Sequence, residues 1–377
     1  MPISDPENRS AIFEREIARA GLTDIEAKIR SRERLSADDG LRLYATAELP
    51  ALAYLANLVR EQLHGDTTYY VRNQHINYTN VCNVYCKFCA FWRTEKQDDS
   101  YVITHDEIDQ KIEETIALGG NQILMQGGHH PKLGKQWYLD LLSHIRDKFP
   151  QVNVHGFSPS EFIHFRDVFD EPLETLIRDF RDAGLGSIPG GGGEILVDAV
   201  RQSISPLKAM SDDWLEVMAV AHRLGMASTA TMMFGHVETL GQRIEHLERV
   251  RRQQDDTGGF TAFIAWTFQA ENTRLEAPEA GASEYLRMQA LSRIYLDNIP
   301  NIQSSWVTQG LEVGQVALKY GANDLGSIMI EENVVSEAGT TFRMGVADMR
   351  RLIEGLGYEA RQRDNWYRLV DAQAAAA

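Results

Sequence analysis

The hydrophobic and polar positions of this chain follow two different periods, and the change between them falls near residue 67. Before it, leucines recur at the spacing of one helix face and most other positions are polar. After it, short apolar runs alternate with amphipathic stretches of helical length. The pattern predicts a helical N-terminal segment followed by a long series of strand–helix units. The leucines of the N-terminal face are Leu41, Leu43, Leu49, Leu52, Leu55 and Leu58.

The first complete unit carries helix signals at both ends. Thr104 and Glu107 form a capping-box pattern, isoleucines recur at every fourth position over 108–116, and Gly119 ends the helix. An apolar run at Gln122–Gln126 then predicts a buried strand.

The same alternation continues to about residue 330 and indicates an α/β fold, a (β/α)8 barrel of the TIM type. A doubly wound open sheet is the alternative, because periodicity does not report whether a sheet closes. The predicted strands are Tyr69–Val81, Gln122–Gln126, Val152–Phe157, Ser187–Ile188, Ser228–Phe234, Thr261–Phe268, Ile302–Thr308 and Ser327–Ile330, and the further predicted helices are 160–183, 211–224, 239–253, 283–298 and 311–320.

These elements divide the chain into three parts. Residues 1–66 form an N-terminal helical extension, residues 67–335 form the barrel, and residues 336–377 form a C-terminal helix and tail packed on the barrel. The alanine-rich tail after Val370 is expected to fray.

Composition and charge narrow the classes of function. The chain has 377 residues, of which 43% are hydrophobic and 24% charged, as expected for a globular enzyme with a large core. A net charge of −16 disfavours nonspecific binding to nucleic acid or to anionic membranes. No apolar run approaches the ~20 residues of a membrane span, and the N-terminus lacks the pattern of a signal peptide. We therefore expect a cytoplasmic enzyme with a small-molecule substrate.

All three cysteines of the chain, Cys82, Cys86 and Cys89, lie within eight residues. Thiolates in this spacing favour an iron–sulfur cluster, and three of them leave one iron of a [4Fe-4S] cluster open to a small molecule. A structural zinc site completed by His75 is the alternative, although zinc ligands usually come in two separated pairs. The odd number of cysteines disfavours a disulfide framework.

Polar and glycine-rich segments follow the predicted strands, and in a parallel barrel this edge holds the active site. Gly190–Gly193 are costly in conformational entropy, which suggests a need for close backbone approach, and Glu194 after them is positioned to bind a ligand. His236 and Glu238 follow another strand and are predicted as a catalytic acid/base pair, with a structural hydrogen bond as the alternative. Further segments of this kind are Gly127–His130, Ser158–Glu161, Gln269–Asn272 and Gln309–Gly310.

The spacing C-x-x-x-C-x-x-C with an aromatic residue before the last cysteine resembles the radical S-adenosylmethionine (SAM) superfamily. The resemblance implies that SAM binds the open iron and that the reduced cluster cleaves it to a 5′-deoxyadenosyl radical. It also implies cofactor contacts from this chain: Phe88 beside the adenine, Gly127 and Gly128 near the methionine amino group, Ser158 at the rim, and Glu194 at a ribose hydroxyl or the ammonium.

A narrower resemblance covers about residues 35–368 and points to the group of menaquinone-pathway futalosine enzymes and deazaflavin (FO) synthases. His75–Cys82 with Cys89–Phe91 is similar to this group, and within it the cyclic dehypoxanthine futalosine synthase family is most similar. Gln126 and Trp306–Gln309 favour that family over aminofutalosine synthase and FO synthase. The other similar segments are Gln122–Gly128, Gly235–Thr239, Gly259–Ile264, Trp266–Phe268, Asn323–Gly326 and Glu331–Asn333.

This resemblance implies a cyclisation in menaquinone biosynthesis. The radical is expected to abstract hydrogen from C4′ of the ribose of dehypoxanthine futalosine, and the sugar radical then attacks the benzoate ring of the same molecule. Loss of an electron and a proton gives cyclic dehypoxanthine futalosine. A low-potential electron donor must reduce the cluster.

Overall fold

The computed structural model describes residues 6–46 and 48–370, so the tail after Val370 lies outside the described residues. The N-terminal part consists of four helices, which pack beside two later helices, α11 (Leu240–Thr257) and α12 (Ala282–Tyr295). Leu43, Leu52 and Leu55 of the leucine face are fully buried there. The four helices are α1 (Pro6–Arg19), α2 (Thr23–Ser31), α3 (Ala37–Ala45) and α4 (Leu49–His64).

The strands of the described chain belong to one sheet in which every named pair is parallel. The order across the sheet is β10-β1-β9-β8-β7-β6-β5-β4-β3-β2. The strands are β1 (Thr67–Val71), β2 (Asn73–Asn77), β3 (Gln122–Gln126), β4 (Asn153–Gly156), β5 (Leu185–Ile188), β6 (Ala227–Phe234), β7 (Phe260–Thr267), β8 (Asn301–Gln303), β9 (Asp324–Ser327) and β10 (Glu359–Gln362).

From β2 onward, helices connect successive strands, as parallel pairing requires. The capping box predicted at Thr104 is confirmed, because its hydroxyl accepts the Glu107 N–H and the Glu107 carboxylate accepts the Thr104 N–H. The helices after β2 are α5 (His105–Ala117), α6 (Lys135–Lys148), α7 (Pro159–Phe169), α8 (Leu173–Ala183), α9 (Asp198–Ile204), α10 (Ser211–Arg223), α11, α12, α13 (Trp306–Gln309), α14 (Leu311–Ala317) and α15 (Val346–Glu354), with a 3-10 turn at Ser336–Ala338.

The barrel closes through β1 and β2, which are separated by Arg72 alone. β1 pairs with β9, whereas β2 pairs with β3 at the other end of the sheet order. The backbone N–H of Ile328 donates to the carbonyl of Val71 (3.1 Å), and that of His75 donates to Glu331 (3.3 Å), so the pairing continues past β9. The (β/α)8 prediction is therefore confirmed, and the open-sheet alternative is wrong.

The predicted strand Tyr69–Val81 is shorter than expected and interrupted. It consists of β1 and β2 and ends at Asn77, because residues 78–81 leave the sheet and lead into the cysteine loop.

Three other predicted elements were wrong in their extent, and one of them, the predicted strand Ser327–Ile330, shares only Ser327 with β9. The predicted helix 160–183 is two helices, because Pro172 cannot continue a helix and Asp170 before it has a left-handed φ of 51°. The predicted strand Ile302–Thr308 ends at Gln303, and its second half is α13. There the indole of Trp306 donates to the carbonyl of Ser327 (2.9 Å).

The C-terminal part contributes a strand that the sequence pattern did not predict. β10 pairs with β1 in the register Thr67↔Glu359. The chain then turns beneath the amino-terminal end of the barrel, where Arg363 Nε and the Tyr367 hydroxyl both donate to Asp324 Oδ2 (2.7 and 2.6 Å). Asp324 is fully buried and Arg363 is 5% exposed. This segment closes the floor of the barrel.

The ion pairs of this segment predict that two of its arginines differ greatly in their contribution to the free energy of unfolding. In Arg363→Met the Asp324 carboxylate loses its cationic partner inside the protein, and we expect a loss of about 3–5 kcal/mol in the free energy of unfolding. This loss is measured by urea unfolding, with tryptophan fluorescence as the signal. The control is Arg361→Met, since the Arg361–Glu359 ion pair is about half exposed and is expected to contribute at most about 1 kcal/mol. Equal losses in the two variants would contradict this role of Arg363.

Candidate active site at the carboxyl end of the barrel

The cysteine loop follows β2 at the carboxyl end of the barrel and is fixed by backbone hydrogen bonds to three other segments. The N–H of Cys82 donates to Arg93 (3.0 Å), and that of Lys87 donates to Ile204 at the end of α9 (2.9 Å). The N–H of Arg274, in the loop after β7, donates to the Lys87 carbonyl (2.8 Å). The cysteines are therefore carried by a loop that is joined to the rim on several sides.

The three thiols lie close enough together to influence one another. Burial raises the pKa of Cys86 to about 12, and the charges of Cys89 and Cys82 add to that rise. Burial also raises the pKa of Cys89, while the N–H groups of Phe91 and Trp92 oppose it. Thiolates in such a place need a cationic partner, and three soft sulfur donors on one loop suit an iron–sulfur cluster.

The zinc alternative finds no support in the position of His75. Its side chain lies inside the barrel, where Nε2 is 3.3 Å from Asn77 Nδ2 and Nδ1 is 3.8 Å from Glu332 Oε1. Within the described residues, no group of three or more His, Cys, Asp or Glu side chains, the three cysteines included, is arranged to hold a single metal ion.

Gly127 and Gly128 follow β3 and pack directly against the chain that enters the cysteine loop. A Cβ on Gly127 would lie 2.6 Å from the Tyr78 ring, and one on Gly128 would lie 2.3 Å from the carbonyl oxygen of Val81. Both positions require glycine, because a backbone or a buried ring occupies the space of a side chain. These glycines therefore set the distance between the second rim segment and the cysteine loop.

A buried carboxylate fixes the same region. Glu161 Oε1 accepts the Tyr78 hydroxyl (2.7 Å) and the Gly127 N–H (3.1 Å), and Oε2 accepts the N–H and hydroxyl of Ser158 (2.7 and 2.6 Å). Burial raises the pKa of Glu161 despite these hydrogen bonds. Ser158, predicted to contact the cofactor, uses its hydroxyl in the capping box of α7.

The tetraglycine turn Gly190–Gly193 follows β5 and lies against residues of two other strands, β3 and β6. A Cβ on Gly191 would lie 2.2 Å from Gln126 Nε2, and one on Gly193 would lie 2.7 Å from the Thr231 carbonyl oxygen. The turn also contains a left-handed residue, Gly192, with φ of 81°. Close packing and backbone conformation thus explain why four consecutive glycines occur at these positions.

Arg201 and Lys208, neither of which the sequence analysis singled out, organise this turn. The Arg201 guanidinium donates to the carbonyls of Gly192 (2.9 Å), Gly193 (3.1 Å) and Ala209 (2.9 Å). Lys208 Nζ donates to Glu194 Oε1 at 2.8 Å, while the buried Oε2 has no hydrogen-bond partner. Burial opposes the charge of Lys208, but Glu194 and Cys86 hold its pKa above the ordinary value.

Phe88 belongs to the cysteine loop and lies beside this ion pair, because Lys208 Nζ is 5.2 Å from the centroid of its ring. Phe88 and Glu194 are therefore neighbours at the cysteine loop, and their contacts with a cofactor stay a prediction.

His236 and Glu238 follow β6, but neither lines the barrel cavity. Glu238 accepts the N–H groups of Gly235 and His236 (2.7 and 3.0 Å) and Arg243 Nε (2.7 Å). His236 Nε2 donates to the Met233 carbonyl at 3.1 Å, and both side chains are fully buried. Burial lowers the pKa of His236, with Glu238 opposing. These hydrogen bonds stabilise a turn at the rim of the barrel, which corresponds to the alternative given above, a structural hydrogen bond.

A cavity of about 310 Å³ extends through the barrel from the tetraglycine turn to the floor formed by Arg363, Asn365 and Tyr367. His75 and Glu332 face it together, and sequence reasoning did not identify them as a pair. A signal existed, since polar residues at alternate positions of a barrel strand point into the lumen. Such lumen positions are Asn73 and His75 in β2, Gln122 and Gln126 in β3, and Thr229 and Thr231 in β6.

Comparison with known proteins finds a matching family model for each half of the chain. The model of the radical SAM superfamily matches residues 76–250, and that of the CofH/MqnC C-terminal region matches residues 257–375. Cyclic dehypoxanthine futalosine synthase of Halalkalibacterium halodurans is 44% identical over 90% of this chain and 92% of that protein. Aminodeoxyfutalosine synthase of Thermus thermophilus is 39% identical over 93% of this chain and 96% of that protein.

Among solved structures, methylornithine synthase (PylB) has a TM-score of 0.70 at 16% identity, covering 89% of this chain and 96% of that one. At this identity the similarity concerns the fold alone. Within the described residues, no helix has the length and apolar character needed to cross a membrane.

The packing at Gly128 predicts that Gly128→Ala disturbs the cysteine loop. The added methyl group meets the Val81 carbonyl next to Cys82, and we expect a loss of about 1–3 kcal/mol together with most of the bound iron. Thermal unfolding and iron and sulfide analysis after anaerobic purification measure both. Gly134→Ala is the control, because no atom lies within 4 Å of the new Cβ at this position. If Gly128→Ala retains wild-type iron and stability, the close approach is not needed to form the site.

Proposed function

The chain belongs to the radical SAM enzyme family, in the group that includes the cyclic dehypoxanthine futalosine synthases, and from this premise we propose that it cyclises dehypoxanthine futalosine in menaquinone biosynthesis. The observation that carries the proposal is the 44% identity to one such synthase over almost the whole of both chains. The barrel cavity, closed at its floor, supports it, because an intramolecular ring closure requires one substrate held in one folded shape.

In this proposal Cys82, Cys86 and Cys89 bind a [4Fe-4S] cluster as thiolates, and Phe88 with Glu194 contacts SAM beside it. When bound, these cofactors supply a 5′-deoxyadenosyl radical able to abstract hydrogen from an unactivated carbon. The Oε2 atom of Glu194 accepts no hydrogen bond from the described residues, with Arg201 Nη1 3.6 Å away, and is available to a hydroxyl or ammonium group of a ligand. A low-potential donor supplies the electron, and we place the enzyme in the cytoplasm.

The remaining cavity residues orient the substrate and exclude water. The floor at Arg363 and Tyr367 closes the end of the barrel away from the cysteines, so a substrate reaches the cavity from the rim. Thr229 and Thr231 offer hydroxyl groups to a polar substrate such as a sugar.

His75 is the residue that we propose to accept the proton released when the benzoate ring regains aromaticity. Its Nδ1 atom has no hydrogen-bond partner, whereas Glu332 already accepts the N–H groups of Val334, Val335 and Ser336 (each 2.8 Å). The nearby Glu332 carboxylate is placed to stabilise the imidazolium that forms.

The proposed activity is tested with anaerobically reconstituted protein, SAM, dithionite and dehypoxanthine futalosine. We expect formation of 5′-deoxyadenosine together with a product lighter by the two hydrogens lost, identified by mass spectrometry and NMR. If the protein instead consumes the enolpyruvyl ether of hydroxybenzoate, it is an aminodeoxyfutalosine synthase, like its 39% identical relative.

The three-cysteine assignment predicts that Cys86→Ala abolishes turnover, because the cluster loses a ligand that no other cysteine of the chain can replace. Product formation and the visible iron–sulfur absorbance, bleached by dithionite in the wild type, are measured together. A Cys86→Ala variant with full turnover would show that the ligand assignment is wrong.

A further inference from the structure

Lys208 is a buried charge beside the cysteine loop for which the proposed reaction has no role so far. It lies in the connection between α9 and α10, and its side chain is 12% exposed. The connection is held near the cysteines by the hydrogen bond from the Lys87 N–H to the Ile204 carbonyl. The ammonium is 5.2 Å from the ring centroid of Phe88, which stands between Cys86 and Cys89 in the chain.

Lys208 and Glu194 form an ion pair beside the cysteine loop. The Nζ atom of Lys208 lies 5.2 Å from the ring centroid of Phe88, the residue directly before Cys89, and it donates to Glu194 Oε1 at 2.8 Å. The two side chains are only 12% and 5% exposed, so water screens neither charge well. A buried positive charge and a buried negative charge therefore lie together next to the cysteines.

Arg201 is the other cation at this place, but it differs in its bonding. Its guanidinium donates to backbone carbonyls of the tetraglycine turn and of Ala209, and its Nη1 lies 3.6 Å from Glu194 Oε2. It is therefore a structural cross-link between two rim segments. Lys208 donates to a side chain, Glu194, and removing it leaves those backbone hydrogen bonds in place.

We propose that Lys208 raises the reduction potential of the iron–sulfur cluster and that Glu194 limits this rise. Reduction adds one electron, supplied by an external low-potential reductant, and so adds one negative charge to the cluster and its thiolates. A fixed positive charge nearby favours the reduced state, and a fixed negative charge disfavours it, most strongly where water is excluded. Lys208 is a positioning residue in this sense, since it acts on the cluster through the electric field.

The proposal rests on the cluster named under the proposed function, and it gives that function a physical requirement. SAM cleavage begins only after the cluster is reduced, so the buried ammonium makes the first electron easier to accept.

The test is a redox titration of anaerobically purified holoprotein without SAM, with the reduced cluster followed by EPR. We expect Lys208→Met to disfavour reduction about tenfold, which is ~59 mV for a one-electron couple. We expect Glu194→Gln to shift the potential in the opposite, positive direction, and the double variant to lie between the two. A loosened fold does not predict shifts of opposite sign.

Two further lysine variants complete the experiment. Lys132→Met removes an ammonium that is 71% exposed and paired with Glu95, so solvent screening predicts no measurable shift. Lys208→Arg keeps the charge and is expected to remain near the wild-type potential. If Lys208→Met binds no cluster, Glu194→Gln and Lys208→Arg still decide the question.

Unchanged potentials in Lys208→Met or Glu194→Gln, or shifts of the same sign, would overturn the proposal. Iron and sulfide content is measured for each protein. A wild type that assembles no cluster would refute the proposed function itself, whereas a normal cluster that is indifferent to both charges would refute only the role of Lys208.

Discussion

One stretch of chain, from β1 through β2 to Cys89, closes the barrel and places the cysteines. β1 pairs with β9, β2 pairs with β3, and the same backbone then leaves the sheet as the cysteine loop. The position of the thiols is therefore fixed by the hydrogen bonds that close the sheet. Because only Arg72 separates β1 from β2, the same short stretch of backbone joins the two sides of the closure and leads into the cysteine loop.

The rim around this loop combines close backbone contact with buried charge. Glycines at Gly127–Gly128 and Gly190–Gly193 let neighbouring segments approach to distances that a side chain would prevent. Glu161 and Arg201 then cross-link these segments by accepting from, or donating to, several backbone groups. Buried charges are costly unless they are paired and hydrogen-bonded, and nearly all of these are. The Oε2 atom of Glu194 lies 3.6 Å from Arg201 Nη1 but accepts no hydrogen bond, so it retains the capacity to accept one.

The two family models divide the chain near residue 250, but the barrel does not divide there. β6 and β7 pair along their whole lengths across that boundary. The region after it supplies β7, β8 and β9, the floor residues Arg363 and Tyr367, and Glu332 beside His75. The first half of the chain carries the cysteines, both halves line the cavity, and neither half closes a sheet alone.

The sequence by itself determined the chemistry of the cysteine loop, the alternation of strands and helices, and the rim segments that carry the site. These are local features, since a thiol spacing, a capping box such as Thr104–Glu107 or a period of two lies within a few neighbouring residues. Closure, the floor and the Glu194–Lys208 pair were decided only by the tertiary structure. The pairing of Tyr69 with Asp324 and the ion pair of Asp324 with Arg363 join positions that no local pattern relates. His236 and Glu238 show the same limit of sequence analysis. Their residue types suggested acid/base chemistry, and only the structure shows that both side chains form hydrogen bonds within the turn. The residue type determines which chemistry a side chain can perform, but its contacts in the folded protein determine whether it is available to a substrate or cofactor.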